Sequence, residues 1–547
     1  MRGRIASSVV GRARRARQVC AHAAWSHLLV GIGCTAFAMP GFAENWKISA
    51  SGSATETYTS NVDFSPQGQA QSDWATSLTQ TLGIRGEGSR LKVDGTLSVT
   101  EIFYVSQTQN NSIAPNVNLH GSLEAIEKFF WIDASANVNQ TFLSPFGPQP
   151  ISLVNQTQNR YTQQTYTLSP YIKGQLASNI SYQVRDDSYW TIASNYGNNT
   201  TAVPNTYSNG FNASINREAN PVGWTLEYNR FYYDNGLGTV DVGNVGSVGS
   251  GSYTTQAARL IVPWNIDPQL QVAPRVGYER NDFPLQSSSD TIYGIGGQWR
   301  PSDRTQASGY WEHRFFGGSY QAQISHRLPN VAFTADFSRG ITSYPQLALS
   351  IPAGASVSQF VDAAFTTRIP DPAERAIAVQ QFLANSGLPP VLTTPVNFYG
   401  TSLTLQQSVN VQMVLIGKQN SVSFNVFHVI SNAISAQGNV LPPALAFGQN
   451  NTQTGGGVSY SRPLAANTTF SANATYSRTE ENSSTGPLQN TRSNNASASA
   501  NISRNLGPKT TLSANVTYQW FNTPGSQINT GNSSAFNASV TISHTFF

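Results

Sequence analysis

The last residues of the chain alternate between apolar side chains and hydroxyl or amide side chains, up to an aromatic terminus. The apolar face carries Phe536, Ala538, Val540, Ile542 and Phe546, and the polar face carries Asn537, Ser539, Thr541, Ser543 and Thr545. A period of two residues indicates a β-strand with two different faces. An apolar outer face, a polar inner face and an aromatic end are typical of the strand that closes an outer-membrane β-barrel. A half-buried strand of a soluble sandwich would look similar, so the rest of the chain has to decide.

The same alternation recurs along the chain, with connections that are short and long in turn. Short turns fall at 86–89, 127–128, 175–178, 218–223, 265–268, 301–304, 328–330, 417–420, 463–467 and 507–509. The longer, mostly Asn/Gly/Ser/Pro-rich loops fall at 60–71, 106–115, 143–164, 191–205, 234–252, 282–289, 316–318, 341–403, 431–452, 480–490 and 522–533. We therefore predict an all-β fold, a transmembrane antiparallel up-and-down β-barrel of about 22 strands within a range of about 18 to 22.

The composition supports this prediction. Charged residues make up only 11% of the chain and hydrophobic residues 39%, yet 22 Tyr, 27 Phe and 10 Trp are too many aromatic residues for a disordered chain. Most tryptophans fall near predicted strand ends, where indole rings prefer the headgroup level of a membrane. These are Trp46, Trp74, Trp131, Trp190, Trp224, Trp264, Trp299 and Trp520.

Residues 1–43 read as a secretory signal peptide. Six arginines precede an apolar stretch at 28–38, and Gly41-Phe-Ala43 is a small-x-small cleavage site. Cleavage removes six of the 32 basic residues, so 26 remain against 28 acidic ones, and nothing argues for nucleic-acid binding. Cys20 and Cys34 leave with the leader, so the mature chain has no thiol. We expect residues 44–547 to form a barrel in the outer membrane of a Gram-negative cell.

The connection at 341–403 differs from the others because it contains a helix pattern. Asp371-Pro-Ala-Glu374 is a capping box with proline at the first helical position, and the run that favours a helix continues to Ser386 before Gly387 and a Pro-Pro pair. We therefore predict a short helix in this insertion. It is either a constriction element folded into the lumen or a cap on an exposed loop.

Two short stretches of the sequence resemble one known family. They are Glu56-Thr-Tyr-Thr-Ser-Asn-Val-Asp-Phe-Ser-Pro66 and Leu168-Ser-Pro-Tyr-Ile-Lys-Gly174, the latter followed by Ser181-Tyr-Gln-Val-Arg185. They are similar to the outer-membrane β-barrels associated with PEP-CTERM systems, in bacteria that make exopolysaccharide and sort proteins by exosortase. The resemblance implies an outer-membrane barrel linked to envelope or exopolysaccharide functions, and it transfers no functional residue. The chain departs from such barrels at its end, where Phe547 follows Phe546 out of phase.

The sequence carries no motif for catalysis, a cofactor or a metal. The five histidines beyond the leader stand singly, and the HExxH, G-x-S-x-G, P-loop and Rossmann patterns are all missing. We predict that the protein is not an enzyme and that it has no catalytic, cofactor-binding or metal site. The carboxylate pairs Asp186-Asp187 and Glu480-Glu481 lie near predicted loops, where they are either solvated rim charges or a Ca²⁺ or lipopolysaccharide bridge.

Charged residues on the predicted inner face are the candidate functional residues. If the apolar faces point outward, then Glu227, Arg275, Glu279 and Asp336 line the lumen. Mixed charges at low density would give weak ion selectivity, or they would pair and brace the wall. We expect Phe546 and Phe547 to form the assembly signal that is read by the barrel-assembly machinery.

Three functions fit these features. The first is a channel or export barrel for hydrophilic solutes or exopolysaccharide. The second is a structural or adhesive envelope barrel, and the third is an enzyme that modifies lipid or glycan. The expected partners are outer-membrane lipid and lipopolysaccharide, the barrel-assembly machinery, and exopolysaccharide or its export machinery.

Overall fold

The computed structural model describes most of the chain after the leader. It covers residues 45–195, 205–234, 252–283, 286–349, 403–434, 450–482, 491–524 and 532–547, together with a few isolated positions between these ranges. The predicted signal peptide at 1–43 lies outside the described residues and stays a prediction.

The described residues form a closed antiparallel barrel of 22 strands. The strands are β1 (Asn45–Thr59), β2 (Asp73–Glu87), β3 (Leu91–Tyr104), β4 (Ser112–Ile126), β5 (Phe130–Phe142), β6 (Arg160–Ala177), β7 (Ile180–Asn195), β8 (Thr206–Arg217), β9 (Trp224–Asp234), β10 (Ser252–Ile261), β11 (Leu270–Phe283), β12 (Gln286–Ser302), β13 (Thr305–Arg314), β14 (Gly317–Leu328), β15 (Val331–Thr342), β16 (Thr404–Ile416), β17 (Ser421–Ala433), β18 (Asn451–Ala465), β19 (Thr468–Glu481), β20 (Arg492–Asn505), β21 (Thr510–Asn522) and β22 (Asn532–Thr545). Each strand pairs with its neighbours in the chain, and the two-residue strand Trp264–Asn265 continues β10.

The barrel closes where β1 pairs with β22, in a register that runs from Ser51 opposite Thr545 to Thr59 opposite Asn537. The backbone N–H of Phe546 extends this ladder by donating to the carbonyl oxygen of Ala50 at 2.8 Å. Closure pairs the two strands that would otherwise be sheet edges, so no open edge faces the surroundings. The predicted class of fold and strand count are therefore confirmed.

The two faces of the wall differ as the alternation predicts. Large apolar side chains on the outer face are exposed, among them Val540 at 53%, Tyr518 at 51% and Val426 at 59%. The inner face is polar and much of it is buried, as at Gln412, Ser423 and Gln519. Residues paired across neighbouring strands point to the same side of the wall. A residue known to point outward or inward therefore tells which way its cross-strand partners point.

Short turns lie on one rim of the barrel and the longer connections on the other, which we call the short-turn rim and the long-loop rim. Both described ends of the chain, Asn45 and Phe547, lie at the short-turn rim. The predicted loop at 282–289 is wrong in extent, because β11 and β12 pair up to Phe283 and Gln286. Only two residues separate the paired ends of these strands on the long-loop rim.

The connection between β15 and β16 begins with a short helix, α1 (Tyr344–Leu349). The helix predicted at 371–386 lies outside the described residues apart from Val379, and the structure gives that part of the prediction no support. Among the described residues, no helix is long and apolar enough to cross a membrane.

Candidate functional site

The connection between β5 and β6, residues 143–159, folds inward instead of projecting from the long-loop rim. We call it the inner loop. Asn155 within it has no exposed surface, and Arg160 at its end is 2% exposed. The Arg160 guanidinium donates to the carbonyl oxygens of Asn155 at 3.1 Å and Pro150 at 2.5 Å, so it holds the two halves of the loop together. Charge-assisted bonds of this kind are stronger than neutral ones.

Asn155 anchors the inner loop to the strands at the closing seam. Its Nδ2 donates to the hydroxyl of Thr59 at 2.8 Å and to the carbonyl oxygen of Asn61 at 2.7 Å. Its Oδ1 accepts from Nδ2 of Asn537 on β22 at 2.8 Å. Three bonds to a buried amide satisfy most of its hydrogen-bonding capacity and fix its position.

A second anchor lies further round the wall, on β20 and β21. Nε2 of Gln519 donates to the carbonyl oxygen of Gln149 at 2.7 Å, and Oε1 of Gln519 accepts from the N–H of Ile151 at 2.8 Å. The hydroxyl of Ser493 donates to the carbonyl oxygen of Pro145 at 2.7 Å. The inner loop therefore leaves β5, contacts strands on both sides of the β1–β22 pair and returns to β6. Its path spans part of the mouth instead of following the rim.

The opposite side of the mouth is crossed by the start of α1. Tyr344 is 3% exposed and packs with Leu143 and Tyr161, and its hydroxyl lies 2.6 Å from that of Tyr161 on β6. Burial raises the pKa of the Tyr344 phenol, and the bond to Tyr161 offsets part of the rise, so Tyr344 stays protonated over the ordinary pH range. Only Ser343 separates Tyr344 from β15, so the top of β15 lies close to the wall at β6 and the mouth is narrow here.

A second contact supports this narrowing. Leu403, the residue before β16, has no exposed surface and packs against Tyr233 on β9 and Tyr253 on β10. The Tyr233 and Tyr253 rings are stacked with centroids 5.8 Å apart. Both ends of the 343–403 connection therefore rest on the facing wall, between β6 and β10.

Two of the four predicted lumen residues belong to ion-pair networks. Arg275 donates to Glu312 at 2.7 Å, and Arg259 contacts the same carboxylate at 3.3 Å. Glu279 has no exposed surface, pairs with Arg314 at 2.6 Å and accepts from the backbone N–H of Phe315 at 2.6 Å. Glu279 and Arg314 neutralise each other, and Arg275 and Arg259 share the one Glu312 carboxylate, which favours bracing for these two positions.

Glu227 and Asp336 are placed differently. Glu227 lies opposite Arg259 in the register of β9 and β10, but it forms no ion pair within the described chain. Asp336 lies between Gln323 on β14 and Asn410 on β16, and its Oδ2 has no hydrogen-bond partner among the described residues. Of the four candidates, these two are the ones without an ion pair among the described residues, and the Oδ2 of Asp336 is itself buried in the wall.

Below the mouth, the inner wall carries a cavity of 680 Å³ between β8 and β14. Its lining is dominated by neutral amide and hydroxyl groups. They include Gln271, Gln298, Ser308, Gln321 and Gln323. The guanidinium of Arg275 also lines the cavity and lies 4.4 Å from the centre of the Tyr310 ring. Arg217 and Glu218, of opposite charge, line it as well, and the rest of the surface offers mostly neutral donors and acceptors.

Trp131 corrects one sequence prediction, because it does not face the headgroups. It stacks on Tyr171 with ring centroids 5.5 Å apart, on the face of the wall that also carries Asp133 and Arg185. On β6, Leu168 and Tyr171 point to opposite faces of the wall. Leu168 is exposed on the outside, so Tyr171 and its cross-strand partner Trp131 line the lumen. Strand-end position alone did not distinguish the two faces.

The paired carboxylates Asp186 and Asp187 are also placed differently from the prediction. They lie in the middle of β7, on opposite faces, and only Asp187 pairs with Arg185, at 2.7 Å. Within the described residues, no group of three His, Cys, Asp or Glu side chains could hold a metal ion. His428 contacts the hydroxyl of Thr454 at 2.7 Å, on the outer face.

The inner loop is the candidate functional element that the sequence patterns did not single out. The sequence indicated only a long loop at 143–164. One pattern could have pointed to it: residues 143–159 contain three prolines and no charged side chain. A long loop in water usually carries charge, whereas one that is buried against a polar wall needs amides and hydroxyls.

A closed wall with an apolar exterior, a polar interior and an inward-folded loop defines a β-barrel of the outer-membrane type. No protein-family model matches the chain, and no curated protein matches it. Solved structures do. The FrpB iron transporter from Neisseria meningitidis (F5-1 variant) matches at 9% identity over 91% of this chain and 82% of its own, with a TM-score of 0.47.

Two further similar structures have larger chains. The ferric citrate transporter FecA matches at 10% identity over 93% of this chain and 80% of its own, with a TM-score of 0.46. The siderophore receptor PirA from Acinetobacter baumannii matches at 8% identity over 91% and 80%, with a TM-score of 0.44.

Proposed function

We propose that the protein is an outer-membrane conduit for hydrophilic solutes, with its passage limited at the long-loop mouth by the inner loop. The observation that carries the proposal is the anchoring of this loop across the closing seam through Asn155 and Gln519. A barrel of this size is wide enough for a water-filled lumen, so a cell that keeps its barrier needs an element that narrows it.

The chemistry of the inner wall favours uncharged solutes. The cavity between β8 and β14 presents amides and hydroxyls, and the nearby charges of Arg275 and Glu279 are paired. Neutral donors and acceptors can replace part of the water around a sugar-like solute without binding it tightly. Exopolysaccharide export is the finer form of the proposal. It rests on the two stretches that resemble PEP-CTERM-associated barrels and on the predicted signal peptide at 1–43.

The test measures passage directly. The purified barrel is placed in planar bilayers for conductance and in liposomes for swelling in neutral sugars of increasing size. In a variant, residues 146–156 are replaced by a short Gly/Ser linker. We expect a small conductance from the native barrel and a larger conductance, with a higher sugar size limit, from the variant. A matched control shortens the exposed turn at 506–509.

The outcomes separate the alternatives. If neither barrel passes ions or sugars although both are folded, the conduit proposal is wrong and the structural or adhesive barrel takes its place. If the native barrel conducts and the loop variant does not differ, the inner loop does not limit passage. Turnover of lipid or glycan by the purified barrel would support the enzyme alternative instead.

A further inference from the structure

The outer wall carries a polar patch at the level of the membrane, formed by Asp186 and Ser188 on β7, Asn209 on β8 and Arg230 on β9. We call it the lateral patch. The register of these strands pairs Ser188 with Asn209, and it places Asp186 and Arg230 on either side of Phe211. All of them share the outer face with Trp190, which is 39% exposed.

The depth of the lateral patch follows from the aromatic residues around it. Trp190, Tyr207 and Tyr232 form an arc towards the long-loop rim, with ring centroids 5.6 and 6.2 Å apart. On β7, Asp186 lies midway between Trp190 and Tyr182, which is the outward aromatic residue nearer the short-turn rim. Because aromatic girdles mark the two interfaces of a barrel, Asp186 faces the hydrocarbon region.

Two other outward carboxylates show the contrast. Glu56 and Glu101 also lie on the outer face, since their register partners include the exposed Val540 and Leu78. They are the outward residues next to Tyr58 and Phe103, respectively, so they lie at the level of the girdle, where headgroups and water reach. Asp186 has no such access.

The bonds within the patch leave its charges uncompensated. Asp186 accepts from Nδ2 of Asn209 at 2.9 and 3.0 Å, and it forms no ion pair within the described chain. Arg230 is exposed and makes no hydrogen bond or ion pair with any described residue. Arg230 is the outward residue next to Tyr232 of the arc, so its long side chain lies near headgroup level, whereas the Asp186 carboxylate faces lipid tails without a countercharge. An uncompensated acid at that depth is costly, and such a cost is sustained where a base from a partner covers the charge.

We infer that the lateral patch is the contact surface for a second copy of this chain, in a two-fold symmetric dimer. When two identical walls face each other about an axis along the membrane normal, left and right are exchanged, so β7 of one copy faces β9 of the other. Rotation about this axis keeps each residue at its own depth, and Arg230 lies one outward position nearer the long-loop rim than Asp186 relative to the arc. The long Arg230 side chain of one copy therefore extends down to Asp186 of its partner, and the two Phe211 side chains meet at the axis. The arrangement is self-complementary because the acid and the base flank Phe211 in the register.

The experiment uses the full-length protein in its native outer membrane. Phe211→Cys places a thiol at the proposed axis, and Val426→Cys is the matched control, because Val426 is 59% exposed on the far wall and the mature chain has no other cysteine. We expect oxidation to give a disulfide-linked dimer from the first variant and none from the second. Heat-modifiable migration in gels confirms folding in each case.

A charge exchange tests the pairing itself. Asp186→Arg or Arg230→Asp alone is expected to weaken dimerisation at least tenfold in detergent, and the double exchange is expected to restore it. If a single exchange prevents assembly, Asp186→Asn and Arg230→Gln provide milder variants for the same comparison. Absence of the Phe211→Cys dimer would overturn the inference. So would a monomeric native barrel whose Arg230→Asp variant loses only co-purified lipopolysaccharide, because the patch would then bind anionic lipid.

Discussion

The hydroxyl oxygens of Tyr161 and Tyr344 lie 2.6 Å apart, and this contact joins the connection after β15 to the wall at β6. Both side chains are almost completely buried, at 1% and 3% exposure. The contact is where the inner loop, through Leu143, meets the other element that crosses the mouth. The two elements are therefore expected to be coupled.

Removing one hydroxyl should loosen the mouth without unfolding the barrel. Tyr344→Phe leaves the Tyr161 hydroxyl without this partner, and such a loss costs about 1 to 3 kcal/mol in a buried site. We expect more frequent conductance transitions in planar bilayers at an unchanged unfolding midpoint of the wall. The reverse variant, Tyr161→Phe, should behave alike, and additive effects in the double variant would contradict a direct contact.

Asn155→Ala should release the inner loop. The substitution removes the bonds to Thr59, Asn61 and Asn537, and it leaves buried groups unpaired. We expect higher conductance and proteolysis within 143–159, whereas Asn179→Ala in the exposed β6–β7 turn should change neither. If the inner loop of the variant resisted proteolysis as well as the loop of the native barrel does, other contacts would be shown to hold it.

Glu279→Gln should destabilise the barrel more than the loss of any exposed pair. It leaves the Arg314 charge in a site where Glu279 has no exposed surface, and breaking such a pair costs about 3 to 5 kcal/mol. The measurement is unfolding in urea, with Glu87→Gln as the control. The Arg85–Glu87 side chains are 59% and 57% exposed, so solvent screens that pair and its loss should change the stability little. Equal effects of the two variants would mean that the Glu279 site is hydrated.

Deleting Phe546 and Phe547 together should prevent assembly, because the closing ladder loses the bonds to Ala50 and the apolar face loses its aromatic end. Deleting Phe547 alone should be tolerated, since Phe546 then ends the chain in phase with Val540 and Ile542. The amount of heat-modifiable barrel in outer membranes measures both. Equal loss from the two deletions would show that the terminal Phe547 is the residue that the assembly machinery requires.

The sequence alone determined the wall. A strand's two faces are set by a period of two residues, so Val540 and Ile542 could be placed outside and Asn537 inside without any knowledge of the neighbouring strands. The alternation of short and long connections then gave the strand count and the common rim of both ends. The lumen side of Glu279 and Asp336 followed from the same local rule.

What the lumen contains was decided only by the tertiary structure. The bond between Asn155 and Asn537 joins residues far apart in the chain, and nothing near either residue specifies the other. The same holds for Tyr344 on Tyr161, and for the face of Trp131, which the sequence placed at a strand end but not inside. Barrel closure brings β22 beside β1 and the inner loop beside both, so these contacts exist only once the whole wall has formed. Local periodicity therefore predicts where a side chain points, and long-range register decides what it meets.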